Sequence, residues 1–411
     1  MRGLTALTRG LLGLLGPDAA GARQSLLALL LNTSTSLVAG AFLGSVTGTL
    51  ADYPGLLLLV PAAIGLRGNV FGALGNRLST SLHAGTFRLS TSRDSLLGQN
   101  VLAALILTLG VSLVLACIAE VLAVAFGIQD RIGLLDMGTI SIVGGLLGSV
   151  VVLGAAVALA GGAVRYGWDL DSVTAPLVST LGDVLTLPAL VLATVLVGWG
   201  AVSAGLGVVL LAVAAAVLVV GWRTASGPLR TIVHESLPVL VVAGAISSGA
   251  GVALEGRIGS FVAYPALLVL VPAFLSSAGA LGGILAGRLS TKLLLGTVEP
   301  TARPDREASR DIRGIYLLAV PVFLADGVGA HYTALLLGQD SPGLFDMAVV
   351  ALGAGMVAMA FVVVLAYGTT VLAVRTGVDP DTYGIPVVSS SLDLVGAVVL
   401  IVAISALGLT G

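Results

Sequence analysis

Two aspartates at matching positions in long apolar segments are the residues of this chain best placed to do chemistry. Asp183 and Asp393 each lie two to three helical turns into such a segment and stand 210 residues apart. A carboxylate at membrane depth costs roughly 2.5–3.5 kcal/mol on insertion scales, so it is a functional candidate by default. Two carboxylates that approach each other repel unless a proton or a cation neutralises them. A divalent cation neutralises both at once.

The other groups near these aspartates are oxygen donors. Ser179 and Ser389 precede the aspartates by four residues and therefore share a helix face with them, and neither segment contains Cys or His. Such donors suit Mg²⁺ or Ca²⁺ better than Zn²⁺ or Cu²⁺, and Mg²⁺, which keeps part of its water shell, fits best. The alternative is that the serines bond back to their own helices and that the aspartates make helix–helix hydrogen bonds.

The composition is that of a membrane protein. Of 411 residues, 57% are hydrophobic and 10% are charged, with a net charge of −2 and a mean hydropathy of +1.10. A globular domain carries about 25% charged residues, which excludes a soluble enzyme, a nucleic-acid binder and a disordered scaffold. The single cysteine excludes a disulfide framework, and the 56 glycines fit closely packed membrane helices.

Apolar windows of about 20 residues predict an all-α membrane protein with eleven transmembrane helices. The windows are approximately 25–50, 54–77, 97–126, 136–163, 172–197, 201–222, 236–258, 263–289, 312–337, 345–374 and 383–410. The separation of the fifth window from the sixth rests on the break at Gly198-Trp199-Gly200. Residues 1–24 are predicted to be a cytoplasmic tail, because their apolar core is too short for a signal peptide.

An internal repeat relates the two halves of the chain. Residues 51–86 match residues 262–297 at an offset of 211, with 18 of 36 pairs identical. The segment around Asp183 recurs around Asp393 at an offset of 210. A duplicated membrane unit is the simplest explanation.

The repeat and the basic residues together predict the topology. Two five-helix repeats, 25–197 and 223–411, are joined by one extra span at 198–222, which lets both repeats enter the membrane in the same direction as a parallel pseudo-dimer. With the N-terminus inside, the cytoplasmic loops carry sixteen basic residues and the outside loops two, while Arg67 falls within a span. This asymmetry favours a cytoplasmic N-terminus.

The second span of each repeat is rich in proline and glycine. Pro54 and Pro61 recur 211 residues later, and each pair is followed by a glycine-rich run. These residues free backbone groups, which a bilayer tolerates where they line a cavity or pack against protein. Asn69 offers a side-chain oxygen in the first half, whereas its counterpart is Ala280. The alternative interpretation is that the glycines form packing faces.

Three further ionisable residues lie in the third spans of the two repeats, one in the first repeat and two in the second. Glu120 and Asp326 occupy positions that are not equivalent, and His331 is near Asp326. They form either a proton or sodium coupling relay or plain buried pairs.

Both motifs resemble those of a known family. The glycine-rich stretch 68–85, which contains Asn69, is similar to the second-helix signature of the MgtE family of magnesium transporters. The fifth-helix signature of that family resembles Gly-x-Asp169-x-Asp171 followed by Pro176-x-x-Ser179-Thr180-x-x-Asp183. Two such units in one chain resemble the solute carrier family 41 transporters.

This resemblance implies a Mg²⁺ pathway between the second and fifth helices of both units. It implies ion-binding carboxylates at Asp183 and Asp393 and an asparagine ligand at Asn69. Ala280 departs from the pattern in the second copy, so a symmetric ion site is not implied. Nothing in the chain resembles the cytoplasmic N-domain and CBS-domain pair of bacterial MgtE, so the sensing gate attributed to them is not implied either.

The predicted function is transport of a divalent cation, foremost Mg²⁺ as the transported ion, across the cell membrane, without enzymatic activity. The ion and the lipid bilayer are the expected partners, with no nucleic acid, and the fused repeats favour a monomer. The alternative is a Na⁺- or H⁺-coupled carrier of another divalent cation or solute. An intramembrane aspartyl protease requires Gly-x-Gly-Asp, which neither Thr180-Leu181-Gly182-Asp183 nor Ser390-Ser391-Leu392-Asp393 provides.

The predicted topology places Gly411 outside the cell. A C-terminal reporter that is active only in the cytoplasm should therefore stay silent, while the same reporter fused after Arg223 should be active. An active reporter at Gly411 would show that the extra span at 198–222 does not cross the membrane.

Overall fold

Helices make up nearly all of the described chain, because a backbone in lipid must satisfy its own hydrogen bonds. The computed structural model describes residues 19–83, 92, 95–166, 170–223, 227–301, 303–376 and 385–409. Within these residues there is no strand. The helices are α1 (Ala19–Ser45), α2 (Thr47–Asp52), α3 (Val60–His83), α4 (Leu96–Ala125), α5 (Leu134–Tyr166), α6 (Leu170–Thr194), α7 (Ala201–Arg223), α8 (Gly227–Glu255), α9 (Ile258–Ala263), α10 (Pro265–Leu294), α11 (Arg306–Leu336), α12 (Leu344–Thr376) and α13 (Ile385–Ala406).

The predicted all-α membrane class is confirmed. Among the described residues, ten helices are long and apolar enough to cross a bilayer. The remaining predicted span corresponds to α6, whose part Leu181–Thr194 is apolar. Helices α2 and α9, with six residues each, are too short to be spans. Most of the predicted N-terminal tail, residues 1–18, lies outside the described residues.

The glycine pair at 198 and 200 lies in the break between α6, which ends at Thr194, and α7, which begins at Ala201, as the sequence predicts. Both glycines have positive φ, 90° and 61°, a conformation that a Cβ disfavours. The Ala201–Arg223 helix that follows is one of the ten candidate spans. The extra span between the repeats is therefore a separate helix.

The described helices fall into two compact units whose boundaries differ from those of the repeats. Unit 2 comprises residues 45–258 and contains α2 to α8. Unit 1 comprises residues 1–44 and 259–411 and contains α1 and α10 to α13. The first helix of each repeat, α1 or α8, thus belongs to the unit built by the later helices of the other repeat.

The same glycine contact holds each exchanged helix. In unit 1, a Cβ placed on Gly40 of α1 would meet the backbone carbonyl of Val269 in α10. In unit 2, a Cβ on Gly251 of α8 would meet the backbone of Leu57 and Leu58 just before α3. Gly251 stands 211 residues after Gly40. Glycine at both places lets the two backbones approach each other closely.

The two second helices differ in how they begin. Before α3, Gly55 has φ 93° and leads into a 3-10 turn at Leu56–Leu58, and its N–H donates to Oε1 of Glu255 at 2.9 Å. Helix α10 instead runs unbroken from Pro265, because the counterpart of Gly55 there is Ala266, which disfavours positive φ.

The glycine contacts predict which substitutions destabilise the protein. Gly251→Ala should lower the melting temperature in detergent, because the added methyl group meets backbone that cannot rotate away; overpacking of this kind costs about 1–3 kcal/mol. Gly40→Ala should do the same. Gly154→Ala is the matched control, since a Cβ there meets no described atom within 4 Å. Equal melting temperatures for Gly251→Ala and Gly154→Ala would contradict the contact.

Candidate functional site

Each second helix carries one half-exposed face, which we call the glycine stripe. On α3 and on α10 the half-exposed positions recur every three or four residues, the spacing of a single helix face, and buried residues lie between them. The stripe of α3 consists of Gly65, Gly68, Asn69, Gly72 and Ala73. The stripe of α10 consists of Ser276, Gly279, Ala280, Gly283 and Ile284.

Three glycines of these stripes face open space and are not packing positions. A Cβ placed on Gly72, Gly279 or Gly283 would have no described atom within 4 Å. Gly282, which is buried beside the stripe, behaves differently, since a Cβ there would lie 2.7 Å from Cδ1 of Leu392. The packing interpretation is therefore wrong for the three stripe glycines and right for Gly282.

The helices that carry the two aspartates pack directly against the helices that carry the stripes. In unit 2, α6 packs on α3, and a Cβ on Gly182 would lie 3.5 Å from Cβ of Arg67. In unit 1, α13 packs on α10 through the contact of Leu392 with Gly282. Asp183 and Asp393 are the next residues after Gly182 and Leu392, and both are half-buried. Each unit therefore brings one mid-helix carboxylate next to a stripe-bearing helix.

The neutral oxygen donors predicted from the sequence occupy different settings. Asn69 lies on the stripe of α3 and is half-exposed, as is Ala280 on α10. The hydroxyl of Ser389 donates to the carbonyl of Pro386 in its own helix at 3.2 Å, which leaves the oxygen lone pairs for an ion or its water. Ser179 lies on α6, but its side chain is outside the described residues. Among described side chains, no three His, Cys, Asp or Glu residues form a metal-binding group.

A buried arginine in unit 2 is a further charge at this site. The side chain of Arg67 is 3% exposed, and its Nη2 donates to the carbonyl of Gly144 at 2.7 Å. Nη1 has no hydrogen-bond partner among the described residues. Gly148 makes room for the guanidinium, because a Cβ there would lie 2.5 Å from its central carbon. The guanidinium thus lies between α3 and α5, while the base of the Arg67 side chain packs on α6 at Gly182, next to Asp183.

Unit 1 has no counterpart of this charge in its described residues. The residues equivalent to Arg67, Gly144 and Gly148 are Ala278, Ala354 and Ala358, all of them buried. The arginine, the glycine whose carbonyl it bonds and the glycine that makes room for it change together between the repeats. This joint change is a signal that comparison of the repeats could have revealed.

The three other ionisable residues lie in separate places. Glu120 pairs with Arg131 at 3.2 Å. His331 hydrogen-bonds the hydroxyl of Ser341 through Nδ1 at 2.8 Å. Asp326 is bonded instead to hydroxyl groups of neighbouring helices. No described contact joins the three residues into one relay, and each has its own partners.

Comparisons with known proteins agree with these motifs. The MgtE family, described as a divalent cation transporter, matches residues 60–193 and 271–403. Human solute carrier family 41 member 2 is 26% identical over 388 residues, covering 87% of this chain and 65% of the relative. Mouse solute carrier family 41 member 3 is 24% identical over 372 residues, covering 85% of this chain and 74% of the relative. No solved structure matches.

The family match covers both repeats, from the start of each second helix to near the end of each fifth helix. The chain spans about two thirds of the length of the member 2 relatives that it matches. The matched residues include both aspartates and both glycine stripes. This chain belongs to the MgtE family of divalent cation transporters.

Proposed function

We propose that this chain carries divalent cations, foremost Mg²⁺, across the membrane along the glycine stripes, with Asp183 and Asp393 as the charged ligands. The observation that carries the proposal is the open space beside Gly72, Gly279 and Gly283 on helices that pack against the aspartate-bearing helices. A transmembrane helix that leaves such a face uncovered by side chains suits the wall of a water-containing path.

The chemistry of this setting fits a hydrated Mg²⁺ ion. Mg²⁺ dehydrates reluctantly and is bound through one or two carboxylates with several retained waters. The open space beside Gly72, Gly279 and Gly283 leaves room for that shell, and Asn69 adds a neutral oxygen on one side. Ser179 and Ser389 lie one turn before the aspartates, where their oxygens can reach the waters of the ion.

The family and the relatives support the wider proposal. The family is described as a divalent cation transporter, and the relatives are named as solute carriers. We place the chain in the cell membrane with a cytoplasmic N-terminus, acting by transport and catalysing no reaction. The two repeats, 25–197 and 223–411 with the linking span 198–222, would supply both halves of the path, so one chain suffices.

Removing one carboxylate should impair transport without unfolding the protein. Asp183→Asn and Asp393→Asn keep the size of the side chain but halve the charge that offsets a divalent ion at membrane depth. We expect each to lower Mg²⁺ uptake into proteoliposomes by about tenfold or more, a loss of about 1.4 kcal/mol in ion binding. Uptake is normalised to folded protein measured by size-exclusion chromatography in detergent.

The double variant tests whether the two carboxylates serve one ion, as the repeat predicts. In that case Asp183→Asn with Asp393→Asn should be hardly worse than either single variant, because groups that share a partner are not additive. Two independent pathways would leave each single variant with about half the flux. Near-wild-type uptake in both single variants would refute the assignment.

The repeats offer a matched pair of substitutions for the asparagine. Asn69→Ala gives the first stripe the residue of the second, and we expect weaker apparent affinity for Mg²⁺ because a neutral oxygen donor is lost. Ala280→Asn is the control and should be tolerated, since Ala280 is half-exposed on its stripe. Unchanged uptake kinetics in Asn69→Ala would remove that residue from the site.

A further inference from the structure

Asp326 is a buried carboxylate held between three helices of unit 1. It lies on α11 with no exposed surface, and its Oδ1 accepts hydrogen bonds from the hydroxyls of Thr33 on α1 at 2.7 Å and Ser277 on α10 at 3.1 Å. Those two hydroxyls lie 3.3 Å from each other. Oδ1 thus accepts both hydrogen bonds.

The second oxygen of this carboxyl has no partner. Oδ2 of Asp326 is buried and makes no hydrogen bond among the described residues. A buried carboxylate without a cation is costly, and at membrane depth it marks a functional group by default. A proton on Oδ2 removes the charge and leaves both hydrogen bonds to Oδ1 in place.

The other unit shows that the fold does not require this polar group. Leu115 stands 211 residues before Asp326, and Gly244 stands 211 residues after Thr33. In unit 2 a Cβ on Gly244 would lie 2.5 Å from Cδ2 of Leu115, so the same place is filled by an apolar side chain packed on glycine. Leucine is therefore sufficient for helix packing at this position in unit 2. The carboxyl of Asp326 in unit 1 must serve a purpose other than packing.

A second polar pair connects Asp326 to an accessible face. Asn32 and Ser276 exchange hydrogen bonds of 3.0 and 3.2 Å, one residue before Thr33 and Ser277 on the same two helices. Both are half-exposed, and Ser276 belongs to the glycine stripe of α10. The two polar pairs are therefore consecutive along α1 and α10, one at the stripe and the next at the buried carboxyl.

We propose that Asp326, with Thr33 and Ser277, is a proton-binding site that Asn32 and Ser276 connect to the glycine stripe of unit 1. Oδ2 takes up a proton from water at the stripe and returns it there. Release leaves an uncompensated carboxylate between α1, α10 and α11, which favours separation of these helices. Proton binding is thereby linked to the packing of the exchanged helix α1. The link to cation flux rests on the proposed function.

On α1, α10 and α11 no other charged or titratable residue lies within four positions of Thr33, Ser277 or Asp326. On α1 and α10 such residues are at least ten residues from Thr33 and Ser277, about 15 Å along the helix: Arg23, Arg288 and Lys292. On α12, Asp346 comes nearest, in the first turn beside Met347, whose carbonyl packs on Gly327. The others on α12 are Tyr367 and Arg375, and on α11 the closest are His331 and Tyr332, five and six residues from Asp326.

A proton fits this site better than a metal cation. Sodium or magnesium would need about six oxygen ligands, whereas the buried cluster supplies the carboxyl and two hydroxyls, and both hydroxyls already donate to Oδ1. Thr33 and Ser277 are 3% and 0% exposed, so the site is closed to bulk water in this packing. A proton needs no additional ligand.

The proton itself is detectable by infrared difference spectroscopy on the full-length protein in lipid. The carbonyl stretch of a protonated carboxylic acid should disappear as the pH is raised, and this band should be missing in Asp326→Asn. The measurement does not require transport, so it tests the proton site even if the chain carries no Mg²⁺. Absence of any pH-sensitive band in the wild type, or its persistence in Asp326→Asn, would overturn the proposal.

Transport provides the second test. Wild-type Mg²⁺ uptake should vary with pH, approaching tenfold per pH unit, about the limit for one proton. Asp326→Asn should hold one rate at every pH, close to the rate that the wild type approaches in acid, because Asn resembles the neutral carboxyl. The controls Asp346→Asn and His331→Gln should keep the wild-type pH dependence.

A variant that copies unit 2 covers the case in which Asp326→Asn does not fold. Thr33→Gly with Asp326→Leu recreates the contact between Gly244 and Leu115, so it should fold and transport without pH dependence. The same pH dependence in this variant as in the wild type would refute the proton site. Wild-type uptake that depends on the sodium concentration and not on pH would also refute it.

Discussion

The close approach of two helix backbones at a glycine is the contact on which the rest of this architecture depends. The first helix of each repeat makes this contact, at Gly40 against Val269 in unit 1 and at Gly251 against Leu57 and Leu58 in unit 2. Lipid tails are as apolar as leucine, so helices in a membrane gain little from hydrophobic contact and associate through close packing. These contacts fix α1 and α8 against the second helices of the two units.

The sequence predicted the helices well because a bilayer leaves the backbone few alternatives. It also singled out Asp183 and Asp393 as candidates, since charge is costly at depth and a repeat marks equivalent positions. The helix exchange could not be predicted, because α1 and α8 are both apolar and nothing in their composition selects a partner. The stripe and packing glycines, such as Gly283 and Gly282, have identical chemistry, and only the neighbouring helix distinguishes them.

The two units share a backbone plan but differ in the polar groups they bury. Unit 2 contains Arg67, which bonds the carbonyl of Gly144 and fits beside Gly148, where unit 1 has alanines. Unit 1 contains the cluster of Asp326, where unit 2 has Leu115 against Gly244. A fused pair of repeats can diverge in this way because each half has its own gene segment, whereas two copies of one chain would carry every change on both sides. The departure at Asn69 and Ala280 belongs to the same pattern.

The exchange of first helices also has a consequence for how the protein is made. Helix α1 leaves the ribosome well before α10, because its close contact at Val269 lies 229 residues after Gly40 in the chain. Until α10 has been synthesised, α1 sits in the lipid with its Asn32 and Thr33 side chains lacking their partners. At synthesis rates of about 5–20 residues per second, this interval lasts on the order of 10–50 seconds. During that time α1 would be a substrate for an insertase or chaperone that shields polar groups in the bilayer.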